Sequence, residues 1–164
     1  MKTYPHPFEC EECSHRPDSD FRRFESTDSW VIGFPKKKQI HIHFGSATTS
    51  EKQSTEETQW LYDTTVAIGE KNNGVNFFVY IDVSRSDDTE FPSDKSQELY
   101  KKMLNLPQTD MAIFYGATSA MRFFIHLLIR FAKKGDKVDI ETTKEKADAR
   151  YEEWYKENGL KKGL

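Results

Sequence analysis

Apolar and polar positions along this chain follow two rhythms that take turns. Val75-Asn76-Phe77-Phe78-Val79-Tyr80-Ile81-Asp82 and Met111-Ala112-Ile113-Phe114-Tyr115 are short runs rich in β-formers. Each leads through a polar break into a stretch with helical spacing. Strands alternating with helices in this way predict a parallel α/β sheet. In the 75–82 run Phe77, Val79 and Ile81 share one face and Phe78 and Tyr80 the other, so both faces are apolar and the strand is central.

Upstream, Trp30-Val31-Ile32-Gly33-Phe34 reads as a strand, Pro35-Lys36-Lys37-Lys38 breaks it, and Gln39 to Gly45 alternates with period two. Ile40, Ile42 and Phe44 fall on one face and His41 and His43 on the other. The two strands are expected to form an antiparallel hairpin at the sheet edge. Ser54-Thr55-Glu56-Glu57 fits a capping box opening a helix that runs to about Lys71, where Asn72-Asn73-Gly74 stops it. A second helix starts near Ser93, buries Leu99 and Met103, and ends before Pro107. The helix after Ser119 is apolar almost all round, interrupted by Arg122, His126 and Arg130 at spacings of four. One sheet face does not consume that much apolar surface, so this helix is expected to meet a neighbouring helix, the tail or a second subunit. Lys137 to Glu141 reads as the last strand, and a final helix with Ala147, Tyr151, Trp154 and Tyr155 follows Thr142-Thr143.

Residues 1–27 are polar and carry Pro5, Pro7 and Pro17 without periodicity. They are read as an N-terminal tail, residues 28–158 as one domain, and 159–164 as a frayed end. The chain has 164 residues and a formal net charge of -3, with an isoelectric point of about 6.0. That balance points to neither nucleic acid nor an acidic membrane as partner. No window approaches the roughly 18 apolar residues of a membrane span, and Met1 to Glu12 lacks the apolar core of a secretory signal, so a cytoplasmic location is expected. Both cysteines, Cys10 and Cys13, lie in the tail, which excludes a disulfide framework for the body.

The order of these elements, with Ile81-Asp82-Val83-Ser84 ending a strand, the turn Tyr115-Gly116-Ala117-Thr118-Ser119 entering a helix, Arg122 early in that helix, and the closing pattern Val138 to Trp154, resembles the STAS-like domains of the SpoIIAA-like superfamily. Those are bacterial anti-sigma-factor antagonists and relatives of unknown function. The resemblance covers about residues 30–157. It implies an α/β fold with a five-stranded, mostly parallel sheet, an antiparallel edge hairpin and four helices. It also implies a regulatory role through protein–protein contacts. The antagonists carry a phosphorylated serine in an Asp-Ser-Ser-Gly sequence. Here the stretch is Glu90-Phe91-Pro92-Ser93-Asp94-Lys95-Ser96, without the glycine or the paired serines, and Ser93 is the nearest equivalent.

Four candidate sites follow. The carboxyl ends of the parallel strands form a crevice for a ligand or partner, lined by Asp82, Ser84, Gly116, Thr118, Ser119 and Arg122. Ser93 is a candidate phosphorylation residue, a helix cap being its plainer role. His6, Cys10, Cys13 and His15 offer imidazole and thiolate ligands that suit zinc, although His15 stands cramped against Cys13. His41 or His43 would complete a site if the tail folded back on the hairpin. Aromatic residues are plentiful, and a closed pocket lined by Phe77, Tyr80 and Tyr115 would take an apolar ligand. No nucleophile elbow or placed acid–base pair is present to suggest catalysis. The expected function is a non-enzymatic regulatory interaction domain, a homodimer through the helix 121–132 or a partner of another protein. The alternative is binding of an apolar or anionic small molecule.

Overall fold

The computed structural model describes residues 10–14, 21–45, 48–85, 93–131 and 135–158. The elements run α1 (Glu11–Ser14), β1 (Phe21–Phe24), β2 (Ser29–Phe34), β3 (Gln39–His43), α2 (Glu51–Lys71), β4 (Phe77–Asp82), α3 (Asp94–Leu104), β5 (Thr109–Tyr115), α4 (Ser119–Phe131), β6 (Val138–Glu141) and α5 (Lys144–Asn158). The strands form one mixed sheet in chain order, β1 through β6. β1, β2 and β3 pair antiparallel, and β3 to β6 run parallel.

This is the α/β architecture the alternation predicts, with two differences from the expected count. The sheet has six strands rather than five, and the described residues form five helices rather than four. Both extra elements, α1 and β1, come from the stretch read as a tail. β1 covers the outer side of β2, so the β2–β3 hairpin lies one strand in from the edge. Phe21 and Phe24, three residues apart, point to opposite sides of a strand. Phe21 packs on Trp30 with ring centroids 4.3 Å apart, and Phe24 on Trp60 of α2 at 5.4 Å.

Sequential parallel order with right-handed crossovers puts α2, α3 and α4 on one face of the sheet. There Leu61, Ile68, Met103, Leu104 and Ile125 close over Ile40, Ile42, Val79, Ile81, Ala112 and Phe114. α5 returns across the opposite face, where Ala147, Tyr151 and Trp154 pack on Phe78, Tyr80, Ile113 and Tyr115. α5 thus covers β4 to β6 and leaves the same face of β2 and β3 to another lid.

α2 begins a turn earlier than the Ser54 capping box predicts. Ser50 is the cap and accepts from the Gln53 amide, while Gln53 Oε1 accepts from the Thr49 amide. Ser54 lies inside the helix, buried, bonded to Ser96 Oγ of α3 at 3.1 Å. The two candidate caps share one pattern, and packing against α3 selects the earlier one.

Candidate metal centre

The uncovered half of the second face is polar by design of the strand period. In β3 the residues facing it are Gln39, His41 and His43, all buried. A four-residue helix, α1, lies over them and supplies Cys13, with Cys10 just before it. Both sulfurs pack against Ile32 and Phe34 of β2. Cys10 is 6 % exposed, Cys13 0 %, His41 0 % and His43 1 %. One ligand atom from each of the four residues lies within 4.8 Å of all the others. The two sulfurs are 3.1 Å apart, Cys13 Sγ is 3.2 Å from His43 Nε2, and Cys10 Sγ is 3.8 Å from His41 Nδ1. Ligands at zinc bond lengths of about 2.0–2.3 Å stand about 3.3–3.8 Å apart in a tetrahedron. These three separations lie at or close to that range, and the others stay within 4.8 Å.

Each imidazole has its second nitrogen engaged. His41 Nε2 donates to Gln39 Oε1 at 3.0 Å, which leaves the Nδ1 lone pair facing Cys10. His43 Nδ1 donates to Asp82 Oδ2 at 2.8 Å, which leaves Nε2 facing Cys13. Asp82 is held in turn by the Ser84 amide at 2.9 Å and hydroxyl at 2.6 Å on its other oxygen. Outer partners of this kind set the tautomer and aim the lone pair of a metal-binding histidine. Tyr80 stacks on the His41 ring with centroids 4.4 Å apart, and its hydroxyl donates to Asp148. Lys144, at the start of α5, reaches Glu12 Oε2 at 3.1 Å and Asp148 at 2.9 Å, joining the two lids of this face.

The donor set suits a divalent cation. The hydrogen bond between the sulfurs holds the Cys10 thiol far below its usual range, while burial pushes Cys13 up. Burial lowers His41. Burial also works against the charged form of His43, but the hydrogen bonds to Asp82 and Cys10 lift it above its usual value. Two thiolates and two neutral imidazoles carry two negative charges, which a divalent ion cancels. Soft sulfur and imidazole in a tetrahedral set select zinc among common metals.

The tail's zinc reading is thus redrawn. Cys10 and Cys13 belong to the cluster, whereas His6 and His15 lie outside the described residues. His41 and His43 together take the two remaining places. The spacing of the strand makes both conditional partners, and it does not by itself link Asp82 of the crevice to His43. The register is what links them, because His43 pairs with Asp82 across the parallel β3–β4 ladder.

The other crevice residues are put to structural use. Gly116 has a φ of 79°, a conformation that L side chains avoid. A Cβ there would stand 2.7 Å from the Ser84 Cβ, so the two loops close on each other. Thr118 caps α4 through a 3.5 Å contact with the Met121 amide, Ser119 is exposed, and Arg122 is half-buried. Ser93 caps α3, accepting from the Ser96 amide, and its hydroxyl also meets Thr55 Oγ1 at 3.0 Å. The aromatic pocket does not form, because Phe77 belongs to the core of the first face and Tyr80 and Tyr115 to that of the second. Among the described residues, no helix is long and apolar enough to cross a membrane. Comparison with protein-family models, curated proteins and solved structures finds no match for this chain.

Proposed function

We propose that this chain is a non-enzymatic regulatory domain that acts through protein contacts and carries a structural zinc ion on Cys10, Cys13, His41 and His43. One observation carries the metal reading. Two buried imidazoles, each held by an outer acceptor, turn their other ring nitrogens toward two buried sulfurs that lie side by side. Four protein ligands fill a tetrahedron and leave no open position for water, which is the arrangement of a structural ion rather than a hydrolytic one. The ion fastens α1 to the sheet.

The interaction reading draws support from α4. Phe123 on that helix is 63 % exposed, with Leu127 half-buried one turn further on and His126 and Arg130 beside them in solvent. The parallel run β3 to β6, with α2 to α4 on one face, supports the STAS-like resemblance and the regulatory role it implies. The partner is another protein or a second copy of this chain through α4.

Native mass spectrometry of protein purified without added metal or chelator tests the centre. One zinc per chain is expected. Cys13→Ser should abolish it, and His6→Ala with His15→Ala should leave it intact. Zinc lost on changing His6 or His15 would move the site back into the tail. For the interaction surface, Phe123→Asp should lower the solution mass of any dimer while the fold persists, and an unchanged dimer would place the seam elsewhere.

A further inference from the structure

We propose that the metal centre is a thiol switch, in which a small peroxide-class oxidant joins Cys10 to Cys13 as a disulfide, expels the zinc ion and frees α1 from the sheet. The inference rests on the metal reading above and adds its regulation.

The ligand set is unevenly sourced, and that asymmetry is the basis of the switch. Both sulfurs come from one short segment and both imidazoles from one strand. Residues three apart in a helical turn have α-carbons about 5–6 Å apart, within the range that a disulfide accepts. The sulfurs are already 3.1 Å apart. A bond between them needs no rearrangement of the sheet, yet it removes half of the ligands at once. His41 and His43 would remain as a pair on β3, too few to hold a structural zinc.

The lid is short, and its cysteines are what it buries. Within α1 only Cys13 is buried; Glu11 is exposed, and Glu12 and Ser14 are half-buried. Besides the cysteines' packing on Ile32 and Phe34, Glu12 pairs with Lys144 at 3.1 Å and stands 3.8 Å from His41 Nε2. A partly exposed ion pair contributes about 0–1 kcal/mol. A shallow opening lined by Glu11, Glu12, Lys144 and Asp148 borders the lid, and Glu12 touches Cys10 Sγ at 3.8 Å. Cys10 is therefore the sulfur nearer solvent, and its small exposure admits a molecule the size of hydrogen peroxide rather than a bulky disulfide.

The step balances as follows. The Cys10 thiolate attacks one peroxide oxygen, the O–O bond breaks, and hydroxide leaves, giving a sulfenic acid. The Cys13 thiolate attacks the Cys10 sulfur, the S–S bond forms, and a second hydroxide leaves. Two protons from solvent convert the hydroxides to water. Two electrons pass from the sulfurs to the peroxide, and zinc departs as the divalent ion, its oxidation state unchanged. A dithiol reductant and fresh zinc reverse the process.

The test treats the zinc-loaded full chain with hydrogen peroxide in the presence of a chromogenic zinc chelator. Expected is one zinc released per disulfide formed, a mass lower by two hydrogens than that of the reduced metal-free chain, new tryptic cleavage at Arg22 or Arg23, and recovery with dithiothreitol plus zinc. Cys13→His retains four ligands but cannot form the disulfide, and it should keep its zinc at the same peroxide dose. Equal zinc loss from that variant would overturn the switch, as would oxidation of Cys10 to sulfinic acid with no disulfide. A chain that takes up no zinc before peroxide is added would sink the metal reading, and the switch with it.

Discussion

The two faces of the sheet solve one problem in different ways. On the first, three helices totalling many turns lay apolar side chains over Val31, Ile40, Ile42, Val79, Ile81, Ala112 and Phe114. Stability there comes from area, at about 1.5–3 kcal/mol for each large side chain buried. On the second, α5 does the same over β4 to β6, while among the described residues β2 and β3 are covered by the five residues 10–14. Such a lid has too little apolar surface to pay for its own ordering. On the proposed zinc reading, four metal–ligand bonds would concentrate the needed free energy at a point. Isolated zinc-finger peptides gain about 10–16 kcal/mol from their ion. The difference teaches that a polar stripe in a buried strand marks a place where coordination can stand in for packing.

The comparison breaks first where the effect is largest. Stripping the ion with a chelator under reducing conditions should lower the melting temperature and expose β2 and β3 amides to hydrogen exchange, leaving β4 and β5 protected longest. Uniform loss of protection would mean that the faces are not independent. Next comes the apolar face: Leu61→Ala should cost about 2–5 kcal/mol in denaturant unfolding while metal content stays at one per chain. Zinc lost together with stability would show coupling between the layers. Asp82→Asn should then weaken zinc binding by about 10–100-fold with little change in the metal-free protein, because it disturbs the aim of His43 rather than a ligand. An unchanged affinity would demote Asp82 to a loop anchor.

The smallest effect sharpens the picture on the first face, where Glu57 of α2 is buried beneath the β1–β2 turn and accepts from the Thr27 and Ser29 hydroxyls. Burial raises its carboxyl above the ordinary 4.5 despite those two bonds. A folded-state value above the unfolded one means that the native state binds more protons in that window. Stability is therefore full below about 4.5 and declines as pH rises through the folded value. Glu57→Gln, which retains an acceptor for both hydroxyls, should flatten that decline in pH-dependent unfolding. A slope equal to that of the parent would assign it to another group.

Much of the fold was legible because period and position agree. The split of Phe77, Val79 and Ile81 from Phe78 and Tyr80 is reproduced residue by residue in the two cores. Ile40 and Ile42 opposite His41 and His43 likewise follow from alternation alone. β1 was hidden because Phe-Arg-Arg-Phe has no period of two, and each phenylalanine is justified only by an aromatic from a distant element. α1 was hidden because one helical turn has no amphipathic signature and its order comes from what the cysteines touch. The metal centre was half visible: Cys-Glu-Glu-Cys is a ligand spacing, but its complement lies some thirty residues away. No local rule pairs the two. The informative signal was two histidines beside Gln39 on one side of a strand whose other side is apolar, a pattern that costs stability unless something binds them.

The placement of those histidines would also make a bound ion a proofreader of strand pairing. β3 pairs with β4 in a register that sets His41 beside Tyr80 and His43 beside Asp82. A slip of one residue would turn both imidazoles to the opposite face and bring Ile40 and Ile42 beneath the lid. The thiolates would then have no nitrogen to share a metal with, and His43 would lose its carboxylate. Apolar packing tolerates near-equivalent arrangements, but a tetrahedral ion does not. A loaded centre would therefore certify that the third and fourth strands have found each other in the one alignment that works.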